Sequence, residues 1–211
     1  PSVCAVNSFV GIIAVIFAKK GFEWAGELDN QNALELTEGE EKQEGMIITI
    51  SRQYGSGGHE IGKKIAEQLG IPFYDYNIIK LATKSSSLDK SLFAHYEQRG
   101  VGTIRNELAM EVNNDYSLDD QVFIHQSDVI RELAKKGPCV IVGRCADYIL
   151  KENKNVLKVF IYANKDSRRA RVEKVYKKDS KILEKMDKQR ISYYNFHTDQ
   201  KFGNAENYDI C

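Results

Sequence analysis

The feature that most narrows the fold is an apolar run that passes, through a glycine turn, into a helically periodic segment. Ile47-Ile48-Thr49-Ile50 is β-branched throughout, and Gly55-Ser56-Gly57-Gly58 comes shortly after it. Ile61, Ile65 and Leu69 then recur at four-residue spacing, and Gly70 stops the pattern. A short buried strand, a tight turn and a helix follow directly from these residue types. This is how an anion cradle is built. Glycines let backbone N–H groups point inward, and the helix start adds positive potential.

Downstream, the same alternation continues. Pro72-Phe73-Tyr74 reads as a second strand, followed by a helix at Asn77 to Thr83. The stretch from Ser85 to Asp115 is polar and without a clear period. Ser117-Leu118-Asp119-Asp120 is a capping box opening a long helix to Lys136, which Gly137-Pro138 ends. Cys139-Val140-Ile141-Val142 predicts a third strand and Val156 to Tyr162 a fourth. Asn164 caps a basic helix from Lys165 to Lys178, and a final helix spans about Ser180 to Tyr194. Continuously apolar strands alternating with helices predict an α/β fold, a parallel sheet covered by helices on both faces.

The folded domain is expected to begin near Met46. Residues 27–45 hold seven acidic residues against Lys42 alone, which reads as an acidic linker. Residues 1–26 form an apolar segment. Phe9 to Ala18 is shorter than a membrane span, which needs about 20 residues. Three readings stand: the end of a span with Lys19-Lys20 on the cytoplasmic side, a short helix packed on the domain, or translated sequence outside any domain. Pro1 and the apolar run beginning at Ile210-Cys211 suggest a fragment cut at both ends, with its last strand truncated. The 30 basic and 30 acidic residues cancel, which argues against a nucleic-acid binder. Four scattered cysteines and four scattered histidines have no metal-ligand spacing, so no metal site is expected and the thiols read as reduced.

The literal pattern G-x-x-x-x-G-K-[ST] runs from Gly57 to Lys64 as GGHEIGKK, with Lys64 where a hydroxyl belongs. That register is rejected, because the helix has already begun by Ile61 and Lys63 lies about a turn or more inside it. The loop is therefore Gly55 to Gly58. ITISRQYGSGGHEIGKKIAEQLGIPFYDYNII resembles the opening of the cytidylate kinase-like family, P-loop relatives of the bacterial nucleoside monophosphate kinases. GPCVIVGRCADYIL, VFIYANKDSRRARVEKV and DKQRISYYNFHTDQKFGNAENYDIC resemble later segments of that family in order, so the likeness spans 46–211. Against the kinase GSGKGT loop, Gly58 stands at the phosphate lysine and Glu60 at the magnesium-binding threonine.

The resemblance implies a P-loop fold with a helical lid, and ATP with magnesium as the donor. Nucleotide-contacting candidates are Arg52, Gly55, Ser56, Gly57, Gly58, His59 and Glu60, with Arg52 the nearest replacement cation. Arg144 and Asp147, at the end of the third strand, are implied on the acceptor side, and Asp75 ends the second strand. Alternatively, Arg144 is a surface turn residue, and Asp147 and Asp75 merely start helices. Lys151 to Arg190 carries 14 basic and six acidic residues. Within it, Arg168, Arg171 and Arg190 are candidate phosphate forks with Asp187 orienting one, or parts of a solvated face. Tyr193, Tyr194 and Phe196 read as packing residues, with stacking on a base as the alternative.

Two functions are weighed. The first is a cytoplasmic phosphotransferase moving phosphate from ATP to a nucleoside monophosphate such as CMP. The second is an inactive nucleotide-binding regulatory module, tethered to a membrane protein at the inner face. A weaker third is a kinase for another small hydroxyl substrate.

Overall fold

The computed structural model describes residues 45–75, 78 and 118–211. The apolar segment, the acidic linker, the capping-box Ser117 and most of the helix expected at Asn77 to Thr83 lie outside the described residues. Everything below belongs to the unit Met46–Cys211.

Four strands form one parallel sheet: β1 (Ile47–Arg52), β2 (Phe73–Tyr74), β3 (Val140–Val142) and β4 (Val156–Ile161), in the order β2-β3-β1-β4. β1 is central, with Ile48 opposite Val140 on one side and Leu157 on the other. Its residues Ile47 to Ser51 are all buried, which accounts for the continuous apolar run. At the far edge Ile210 bridges Val159 in parallel, and Phe160 N–H donates to the Ile210 carbonyl at 2.8 Å.

Helices cover both faces, as the apolar strands require. α1 (Gly58–Leu69) lies on one face, where Gly62 sits within van der Waals reach of Val142, Ile50 and Phe73. A Cβ at Gly62 would come within 3.0–3.1 Å of all three, so glycine lets this helix approach the sheet. On the other face, α2 (Leu118–Lys135) buries Val122, Gln126, Ile130 and Leu133 at helical spacing. Ile130 and Leu133 pack with Ile47 and Ile141, and with Ala146 of the short helix α3 (Ala146–Ile149). Burying an isoleucine side chain contributes roughly 1.5–3 kcal/mol.

α4 (Lys165–Lys174) starts where Asn164 was read as a cap: its Oδ1 accepts from Ser167 N at 2.8 Å. It ends four residues earlier than the charge pattern suggested, because Lys177 takes a left-handed turn at φ 55°. α5 (Ile182–His197) runs three residues longer than expected at its end. Val172 of α4 and Leu183 of α5 close over Tyr54, so both helices pack against the loop after β1.

Candidate functional site

A cleft of about 440 Å³ opens where β1 meets α1. Its floor is set by the glycines. Gly55 and Gly57 have φ of 76° and 90°, a region costly for residues with a Cβ. Gly57 is the N-cap of α1 and supplies no side-chain hydrogen bond. The first N–H groups of α1 therefore lack an intrahelical partner and a side-chain cap, and they face the loop.

Arg52 leaves the end of β1 and runs under this loop. A Cβ on Gly58 would lie 2.7 Å from its Cβ and Cγ, and one on Gly143 would overlap its Nη1. Two glycines thus make its channel. The guanidinium lies 3.6 Å from Asp75, whose other oxygen meets His59 Nδ1 at 2.6 Å. Arg190 from α5 donates to the Arg52 carbonyl at 3.0 Å and stands over the Tyr54 ring, 5.2 Å from its centre. Burial, then Arg190, and to a lesser degree Arg144 push Arg52 down to about 9, while Asp75 pulls it back up. Burial also lowers Arg190. Guanidinium groups crowded in this way are relieved by an anion.

Glu60 sits in the first turn of α1. Its carboxylate is 3.9 Å from Arg171 and accepts from the Tyr176 hydroxyl at 3.5 Å. Burial, then Glu60, push the Tyr176 phenol up to about 12.

The cleft thus gathers Arg52, Gly55, Gly57, Gly58, His59, Glu60, Asp75 and Arg190. Ser56 turns away: its hydroxyl donates to the Gln53 carbonyl at 2.9 Å. Arg168 and Asp187 lie behind the loop. Asp187 accepts from Tyr54 N at 2.8 Å and pairs with Arg168 at 2.5 Å, while Arg168 also donates to the Tyr54 carbonyl. Arg168 is 9% exposed, and this contact set fixes the loop rather than facing the cleft. Arg171 packs its guanidinium on Gly57 from outside the cleft wall.

Arg144 follows β3 in a run of three left-handed residues, Gly143, Arg144 and Cys145, at φ 76°, 59° and 56°. Holding non-glycine residues there costs of order 1–3 kcal/mol each. Gln126 Nε2 braces the turn by donating to the Arg144 carbonyl at 3.2 Å. The structure does not bring Asp147 to the cleft. It is 3% exposed beneath the sheet, accepting from Ser51 at 3.2 Å and from the Tyr194 hydroxyl at 2.8 Å. Ser51 and Arg52 are adjacent on β1 and point to opposite faces, which separates Asp147 from the arginines. Tyr193 and Tyr194 pack with Cys145 in the interior.

Over residues 47–211 the sequence matches the cytidylate kinase-like family. The chain belongs to that family. The crystal structure of an uncharacterized protein from Eubacterium ventriosum ATCC 27560 is similar at 33% identity. The match has a TM-score of 0.59 and covers 79% of this chain and 86% of that one. A gluconokinase from Sinorhizobium meliloti 1021 is similar at 15% identity and a TM-score of 0.46, over 70% of this chain and 76% of that one. No curated protein matches. The cytidylate kinase-like assignment and the parallel sheet together make this a P-loop kinase fold.

Sequence reasoning missed Tyr54, Tyr176 and Lys178, which also line the cleft. Gln53 lines it too. Gln53 and Tyr54 lie in the loop after β1, and Tyr176 and Lys178 were read as part of a solvated helix that in fact ends at Lys174. Among the described residues, no helix is long and apolar enough to cross a membrane.

Proposed function

We propose that this domain is an ATP-dependent phosphotransferase of the nucleoside monophosphate kinase type, with CMP as its acceptor. The reading rests on one observation: guanidinium groups crowd an uncapped, glycine-lined helix start. Phosphoryl transfer asks for positioning and charge neutralisation, with little covalent chemistry from the protein. The donor phosphates would lie against Gly55 to Glu60. The acceptor phosphate would lie towards the strand ends, where Arg52 pairs with Asp75 and Arg144 follows β3. Choice of CMP follows the family description.

Magnesium fits this cleft through Glu60. A carboxylate with waters and phosphate oxygens is an ordinary environment for that ion. Glu60 would hold it, and when bound it would offset the phosphate charge. Arg171 and Tyr176 keep the carboxylate turned towards the loop until then.

The second reading, a regulatory module that binds nucleotide without turnover, is favoured by Gly58 at the lysine position and by Arg168 being committed to Tyr54 and Asp187. A membrane tether through residues 1–26 belongs with it, whereas the phosphotransferase works in the cytoplasm. Isothermal titration with ATP and each monophosphate, with and without magnesium, beside a turnover assay, separates the two. Binding of ATP and CMP with turnover is expected. Binding without turnover selects the regulatory module, and no nucleotide binding removes both.

A further inference from the structure

The phosphate loop has no lysine in register, yet the fold carries one into the cleft from far along the chain. Lys178 lines the same wall as Gly57, Gly58, Glu60 and Arg190. Its backbone is held firmly. The left-handed Lys177 turns the chain after α4, and Lys178 N donates to the carbonyl of the fully buried Val172 at 3.1 Å. Two residues earlier, Tyr176 reaches Glu60 and meets the Tyr54 ring edge-on at 5.9 Å. The Lys178 side chain itself is exposed.

The other two cations of the wall are already engaged. Arg52 faces Asp75 in its glycine channel, and Arg190 is spread over Tyr54 and the Arg52 carbonyl. Lys178 makes no ion pair among the described residues. Against Arg52, Arg190 and Lys178 stand two carboxylates, Glu60 and Asp75. Without Lys178 the wall would carry as many negative as positive side chains, a poor host for a multiply charged nucleotide. An ammonium on a flexible four-carbon stem can follow a phosphate that two fixed guanidiniums cannot.

We propose that Lys178 is the phosphate lysine of this protein, contacting the terminal phosphates of the nucleotide held at Gly55 to Glu60. The inference rests on the nucleotide-binding part of the function proposed above. It places Lys178 on the donor side, because Tyr176 anchors this segment to Glu60 rather than to Asp75.

The test is titration of ATP and AMP into the whole chain and into its Lys178→Ala, Lys178→Arg and Lys174→Ala variants. Lys174 lies in the last turn of α4, is exposed and does not line the cleft. Lys178→Ala should weaken ATP about tenfold or more, the loss expected of one charge-assisted hydrogen bond. AMP affinity should change little, Lys178→Arg should retain more than Lys178→Ala, and Lys174→Ala should match the parent. A parent that binds ATP while Lys178→Ala binds it equally well overturns the lysine assignment and leaves the functional reading standing. Equal losses in Lys174→Ala and Lys178→Ala would mark a diffuse field and likewise overturn it. A parent that binds neither nucleotide removes the functional reading, and Lys178 falls with it. Matching melting curves for the variants show that the exposed substitution leaves folding intact.

Discussion

At the scale of single residues, Gly58 combines two constraints. In the sequence it stands where related kinases carry a lysine. In the structure it leaves room for Arg52, whose Cβ and Cγ would lie 2.7 Å from any added Cβ. Gly58→Ala should therefore displace Arg52, destabilise the domain by about 1–3 kcal/mol and weaken ATP binding. Lys63 is different: it sits on the exposed flank of α1, 3.8 Å from Glu67. Lys63→Ala should change stability by no more than about 0.5 kcal/mol and leave ATP affinity near the parent's. Calorimetric titration and denaturant unfolding of both variants check this. Loss of binding in Lys63→Ala alone would restore the literal motif register.

Among elements, the decisive contact is the clamp that α4 and α5 place on the loop after β1. Arg168 and Asp187 together hold both the N–H and the carbonyl of Tyr54. A largely buried pair of this kind adds little net stability, but removing one partner strands the other, Arg168, in the interior. Asp187→Ala should cost about 3–5 kcal/mol, seen as a clear fall in melting temperature, with Arg168→Ala similar. Arg190→Ala acts on the cleft wall instead. It should lower turnover more than ATP affinity, because charge developing in the transition state gains most from a preorganised cation. If Arg168→Ala kept its melting temperature and lost turnover, the phosphate role read from the sequence would apply to it after all.

Over the whole molecule, Asp147 joins parts remote in sequence: Ser51 of β1 and Tyr194 of α5 meet on its carboxylate. Burial pushes its carboxyl above the ordinary 3.8, and the bonds from Tyr194 and Ser51 offset this only in part. The folded state thus holds the proton more tightly than the unfolded one. Above 3.8 the unfolded chain gains by ionising first, so this group subtracts stability as pH rises through the window up to its raised folded value. Asp147→Asn removes that term. Its stability relative to the parent should rise as pH goes from below 3.8 towards neutrality, then level off. Urea unfolding of both proteins across that range measures the difference, and a flat difference would reject the assignment.

Local chemistry made the fold legible from the sequence. β-Branched runs, the glycine turn, the four-residue spacing of Ile61, Ile65 and Leu69, and the Asn164 cap each act within a few residues. The strands, the start of α1 and the parallel sheet all follow from them. The loop glycines and Arg52 were recognisable for the same reason: a strand end and a helix start place them at the edge of the sheet. Arg190, in the middle of α5, stood out only through the run of basic charge and its spacing from Asp187. Partners that meet only after folding were not recognisable. Whether Arg168 faces a phosphate or Tyr54 depends on where α5 brings Asp187. Whether Asp147 meets ligand or Tyr194 depends on the strand pleat, which sends Ser51 and Arg52 to opposite faces. Lys178 reaches the cleft because one left-handed residue, Lys177, reverses the chain. A sequence records charge and periodicity along the chain, but the pairing of charges across it is set by the packing of α4 and α5 on the loop.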